Sequence, residues 1–135
     1  MEVNRYLENK AMDHIDHALG RPLDPMQESY RNYFAVAEGS RQGEFEESPH
    51  WKKSRKSSGM VWYRVTDVGR AALRDHLREI GDPHRAYVIR FDGYEQRVIA
   101  KSAGKAKYSY WLDLSDIFSE LTFADFCKHA RVRLA

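Results

Sequence analysis

The first apolar positions of the chain recur at helical spacing. Leu7, Ala11, Ile15, Ala18 and Leu19 fall on one stripe. That predicts a helix over residues 5–19, with Asn4 as its N-cap and Gly20 and Pro22 as its stop. Residues 20–29 carry two prolines and read as a loop. The patch at 30–37, YRNYFAVA, is too short to separate a strand from a helical turn. Residues 38–50 are polar, with two glycines, one proline and Phe45 as their only apolar anchor. They predict a loop holding at most one helical turn.

From Trp51 the pattern changes. Met60, Trp62 and Arg64 alternate with Val61, Tyr63 and Val65, which predicts a strand with one face in a core. The preceding KSSG supplies the turn of a hairpin whose first arm is short. Thr66 then caps a helix with Asp67 in its first turn. Its expected buried stripe is Val68, Ala72, Leu73, Leu77 and Ile80, and Gly81 and Pro83 end it. Residues 86–92 and 94–101 predict two strands joined at Asp92-Gly93, a dipeptide suited to a type I′ turn. Ser102 caps a helix lined by Ala103, Ala106, Tyr110, Leu114 and Ile117. Thr122 and Asp125 resemble a capping box opening a short helix with Phe123, Phe126, Cys127 and Ala130 inward. Residues 130–134 predict a third strand with Val132 and Leu134 on one face. The expected class is α+β. Residues 1–82 (helix, hairpin, helix) pack on residues 83–135 (ββααβ) as one compact unit.

Composition limits what such a chain can be. At 135 residues and 42% hydrophobic it can bury a core. No apolar run approaches the ~20 residues of a membrane span. Residues 1–10 hold no stretch suited to a secretory signal. The single Cys127 excludes an intrachain disulfide. A cytoplasmic protein is the expectation. The net charge of +2 hides a strong asymmetry. Residues 1–48 hold five basic and ten acidic side chains, whereas 49–64 hold Lys52, Lys53, Arg55, Lys56 and Arg64 with no acid. Such segments can form an anion-binding face on a near-neutral protein.

Residues 59–73, GMVWYRVTDVGRAAL, resemble the wing and following helix of winged helix-turn-helix regulators of the MarR and PadR type. The likeness covers residues 50–80. In that family an aromatic-x-aliphatic-Thr-x-x-Gly run carries the second wing strand into a helix, the Thr capping it and the Gly allowing close packing. The resemblance implies a winged-helix-like first part whose wing tip, here Lys52, Lys53, Arg55 and Lys56, reaches DNA phosphates or the minor groove. A recognition helix has no strong counterpart. Residues 38–50 are too polar, and only Tyr30–Ala37 remains as a degenerate version, which argues against major-groove readout. The layout of His17-Ala18-Leu19-Gly20, Tyr30-Arg31-Asn32-Tyr33-Phe34 and then the wing is also similar to small proteins of tailed bacteriophages and prophages. A plainer alternative for the basic tip is a solvated turn that keeps an edge hairpin from aggregating.

A second basic group is expected at Arg97, Lys101, Lys105 and Lys107, around the Ser102 cap, a natural anion site. Tyr108 and Trp111 lie nearby, either to stack on bases or as core. Other chemistry is thin. His14 and His17 sit three apart, with Asp13 and Asp16 repeating the spacing, but no third ligand follows from spacing, so no metal is expected. Ile15 marks the packing side, and these polar residues read as a solvated flank. Cys127, among Phe123, Phe126 and Ala130, reads as a core thiol, and no nucleophile has a base in reach. No cofactor motif is present, and no enzyme activity is expected. Two functions fit. One is a non-enzymatic, phage-type accessory protein that binds nucleic acid through the basic wing, with a regulatory role. The other is a phage-encoded inhibitor or adaptor of a host protein or nucleoprotein complex, such as a defence or transcription complex. Its contact would run through the acidic stretch Glu38–Glu47 or through Tyr30, Tyr33 and Phe34. A homodimer through the first helix is a third possibility, and no membrane partner is expected.

Overall fold

The computed structural model describes residue 3, residues 5–27 and residues 29–135. The chain divides into two compact units, one ending at Asp82 and one running from Pro83 to Ala135. Both mix α and β structure. The described residues form five helices and two antiparallel three-stranded sheets. None of the helices is long and apolar enough to cross a membrane.

In the first unit, α1 (Lys10–Ala18) starts later than the apolar stripe predicts. Its N-cap is Asn9, whose side chain accepts from the Met12 N–H at 3.2 Å. The expected cap, Asn4, lies outside the described residues. Leu7 is buried without being helical, because its backbone N–H donates to the Asp13 carboxylate at 2.9 Å. Burial alone therefore mimicked the helical period.

The reading of Asp13 and Asp16 as a solvated flank is overturned. Asp16 is fully buried and accepts two hydrogen bonds from Arg5, at 2.7 and 3.0 Å, and one from Arg21 at 3.1 Å. Arg21 also reaches Asp13 at 2.7 Å, and Arg5 reaches Asp82 at 3.2 Å and the Pro22 carbonyl at 2.9 Å. Burial pushes the Asp13 carboxyl up, but the Arg21 guanidinium and the Leu7 N–H outweigh it and leave its pKa below the usual value. At Asp16 burial prevails over both guanidinium groups, and the pKa stands raised.

The ambiguous patch at 30–37 resolves into a strand, β1 (Phe34–Ala37). The polar loop after it carries one short helix, α2 (Gln42–Glu46), which buries Phe45. The hairpin follows as β2 (Trp51–Ser57) and β3 (Met60–Val65), so its first arm is seven residues and not short. Ser58 and Gly59 make the turn with φ of 52° and 75°, the geometry of a type I′ hairpin. The sheet order is β1-β3-β2. Val61, Tyr63 and Val65 point inward as the alternation predicts, joined by Val36 and Phe34 from β1. Phe45 packs on Phe34, Trp51 and Tyr63 with ring centroids 4.8–5.2 Å apart.

Thr66 caps α3 (Asp67–Glu79), accepting from the Gly69 N–H at 3.2 Å and donating to the Pro49 carbonyl at 2.6 Å. The buried stripe is Gly69, Leu73 and Leu77, and the expected Val68 and Ile80 are exposed. The helix is turned so that Gly69 faces the start of β2. A Cβ there would lie 2.6 Å from the His50 carbonyl oxygen and 2.7 Å from Val65 Cγ1. Glycine thus lets helix and strand approach closely.

The second unit runs β4 (Arg85–Phe91), β5 (Tyr94–Ala100), α4 (Ala103–Ser115), α5 (Phe123–His129) and β6 (Arg131–Leu134), with sheet order β5-β4-β6. Asp92 and Gly93 make the expected turn, both at positive φ. Ser102 and Thr122 cap their helices through the N–H groups of Lys105 and Asp125. Ile89, Ala106, Phe126 and Ala130 form the core, with Tyr87, Val98 and Val132 from the same sheet face packed against it. Ile117 falls beyond α4 and is exposed, so it does not line that helix. Cys127 is only half-buried at the margin of this core.

Candidate functional site

The hairpin places its basic residues in a way that β2 alone does not announce. The strand WKKSRKS has no apolar alternation, so only pairing decides which side chain faces where. Lys52 pairs with Arg64 and Lys53 with Tyr63. Then the register shifts. Arg55 pairs with Trp62, Lys56 with Val61 and Ser57 with Met60, leaving Ser54 as the extra residue of a β-bulge. Directly paired residues of an antiparallel ladder share a face. Lys53 and Lys56 therefore share the core side with Tyr63 and Val61. Lys52 and Arg55 share the outer side with Arg64, Trp62 and Met60.

The two sides differ in charge balance. Lys53 pairs with Glu46 at 2.6 Å, and Lys56 pairs with Glu38. Lys53, then the Gln42 amide and the Tyr63 hydroxyl, hold the Glu46 carboxyl down to about 2, so it stays ionised and offsets Lys53. On the outer side, Lys52 and Arg64 stand directly opposite each other, both exposed, with no ion-pair partner among the described residues. Like charges in that position repel, which is a cost the fold leaves in place. The Arg55 guanidinium lies 4.3 Å from the Trp62 ring centroid, a cation–π stack on the same face. Tyr33 stands one residue before β1, where alternation continues the outer face, and Arg31 covers its ring at 4.1 Å.

Several sequence-predicted positions move. The tip itself is Ser57-Ser58-Gly59, without a cation, and the cations without an acidic partner lie on the outer face of the sheet. Phe34 is not a surface contact, because its ring packs between His14 and Phe45. Tyr30 is exposed but leans on Gly20, where a Cβ would meet its ring at 2.5 Å. The group around Ser102 is split. Arg97 lies on the outer face of its sheet, while Ala106 of α4 packs on the other, so Arg97 and Lys105 sit on opposite sides. Lys101 and Lys105 are exposed beside the cap, and Lys107 is half-buried. Trp111 is tied down, its indole N–H donating to the Leu121 carbonyl at 2.9 Å and its ring against Phe123.

His14 lines a cavity of about 260 Å³ with Lys10, Arg41, His50 and Trp51. Burial, then the Arg41 charge, lowers its pKa, and its Nε2 lies 3.3 Å from an Arg41 nitrogen that can only donate. The described residues hold no group of three His, Cys, Asp or Glu placed to bind a metal ion. No protein-family model, no curated protein and no solved structure matches this chain.

Proposed function

We propose that this chain is a small, non-enzymatic nucleic-acid-binding protein whose contact surface is the outer face of the β1-β3-β2 sheet. Lys52, Arg55 and Arg64 meet phosphates there. The Arg55–Trp62 pair offers a flat cationic plane for a base to stack on. The observation that carries this reading is the sorting of charge by the Ser54 bulge. The same strand neutralises Lys53 and Lys56 on one side and leaves Lys52 and Arg55 unpaired beside Arg64 on the other.

The likeness to a winged-helix wing supports a hairpin that contacts nucleic acid. The only helix between β1 and β2 is the five-residue α2, too short to lie along a major groove and read bases. Binding is therefore backbone-led and indifferent to sequence. A phage-type accessory role fits these features. The experiment is fluorescence anisotropy of the full chain with unrelated oligonucleotides, single-stranded and duplex, at low salt. Comparable affinities across sequences support the proposal. No affinity for any oligonucleotide, together with one stoichiometric host protein retained in a nuclease-treated pull-down, would replace it with the inhibitor or adaptor reading.

A further inference from the structure

The second unit repeats this charge pattern on different residues. Its sheet packs one face on α4 and α5 through Tyr87, Ile89, Val98 and Val132. The register puts Arg97, Val88 and Arg133 in one row across the opposite face. Glu95, Arg90 and Arg131 form the next row. Neighbouring strands lie about 4.8 Å apart and rows about 6.8 Å apart along a strand, so Arg90, Arg97 and Arg133 stand within a patch roughly 10 Å across, while the Arg131 guanidinium turns back to donate to the Lys128 and Ala130 carbonyls at 3.3 and 3.1 Å. All four arginines are exposed. The face carries one acid, Glu95, which Arg133 reaches across β4 at 3.6 Å. Arg90 and Arg131 are directly opposed like charges.

We infer that this face is a second contact surface of the protein, and that its occupant is the phosphodiester backbone of a nucleic acid. Arginine supplies the charge of both rows, and its planar fork matches phosphate oxygens two at a time. The apolar residues of this face are Ala86, Val88 and Ile99, with no aromatic ring to stack a base. A phosphodiester backbone needs no such ring, because each nucleotide brings its own charge. The inference shares with the proposed function only the class of partner.

The test uses the full chain in anisotropy titrations on a labelled single-stranded oligonucleotide across a range of salt concentrations. Arg90→Gln/Arg97→Gln/Arg133→Gln is compared with Lys52→Gln/Arg55→Gln/Arg64→Gln, circular dichroism reporting the fold of each. Loss of three phosphate contacts lowers the slope of log K against log salt by about 2 and weakens low-salt binding roughly tenfold or more. That result in the second-sheet variant supports the inference. An unchanged affinity and slope there, with binding lost in the first-sheet variant, overturns this inference and leaves the proposed function standing. The reverse pattern overturns the proposed function alone. Binding to polyglutamate as tight as to the oligonucleotide overturns the choice of nucleic acid as the occupant. If the triple variant is unfolded, Arg97→Gln/Arg133→Gln is used, with an expected slope change of about 1.4 and no change as the overturning result.

Discussion

The bulge at Ser54 makes a prediction that composition alone would get wrong. Five cations lie between residues 49 and 64, and counting them equally gives five phosphate contacts. On single-stranded nucleic acid that implies a salt slope of about −3.5 from this hairpin, a loss of roughly 130-fold between 50 and 200 mM salt. The structure assigns only Lys52, Arg55 and Arg64 to the outer face, giving a slope of about −2.1 and a loss of roughly 20-fold over the same range. Lys52→Ala/Arg55→Ala/Arg64→Ala should therefore remove about 2 from the measured slope. Lys53→Ala/Lys56→Ala should leave it nearly unchanged. The second variant also frees the carboxylates of Glu46 and Glu38, which weakens binding by adding local negative charge. Affinity at one salt concentration would thus mislead, and the slope is the discriminating quantity. Anisotropy titrations at four or five salt concentrations measure it. An equal slope change in both variants would refute the assignment of faces.

Other consequences follow from the same architecture. Deleting Ser54 removes the bulge but leaves Arg55 next after Lys53 and opposite Trp62, still on the outer face, so nucleic-acid affinity should stay nearly unchanged, and a fall as large as that in Arg55→Ala would sink the register argument. Asp16→Ala removes the buried carboxylate that Arg5 and Arg21 share, leaving Arg5 with Asp82 and Arg21 with Asp13, and should cost about 3 kcal/mol in urea denaturation, whereas a loss below about 1 would deny the network a structural role. Gly69→Ala gains about 1 kcal/mol of helix propensity but drives a Cβ against the His50 backbone, an overpacking cost of about 1–3 kcal/mol, so equilibrium unfolding should show net destabilisation. The folded pKa of His14 lies below its ordinary 6.5, so the unfolded chain binds more protons between the two values. Stability should fall as pH drops below about 6.5, and His14→Gln should flatten that fall in denaturation curves at pH 7.5 and 5. An equal fall in the variant would remove His14 as its cause.

What was legible in the sequence was mostly local. The caps at Thr66, Ser102 and Thr122 each satisfy a helix N–H three residues on, a relation written within four residues. The Asp92-Gly93 turn and the alternation of Met60 to Val65 are of the same kind. What was not legible depended on partners distant in the chain. Asp16 looks like a surface carboxylate until Arg5, eleven residues before it, folds back onto it. Leu7 passes for a helical position because burial, and not backbone geometry, places it on the stripe. The arginines of the second sheet were partly within reach, since Arg131 and Arg133 alternate with Val132 and Leu134. Grouping cations by nearness in sequence joined Arg97 to Lys105 across opposite sides of a sheet.

The functional argument finally rests on a comparison the molecule makes within itself. Strand β2 is a single run of cations, and solvation alone would treat its members alike. If the positive charge served only to keep an edge hairpin soluble, pairing on both faces would serve as well, and relieving the repulsion between Lys52 and Arg64 would cost nothing. Instead the fold supplies Glu46 and Glu38 to one side and withholds acids from the other. An unrelieved like-charge pair is stabilised when an anion arrives, so the repulsion becomes binding energy only in the presence of a polyanionic partner. On the separate sheet Arg90 and Arg131 are also directly opposed, although there the Arg131 guanidinium is held by the Lys128 and Ala130 carbonyls.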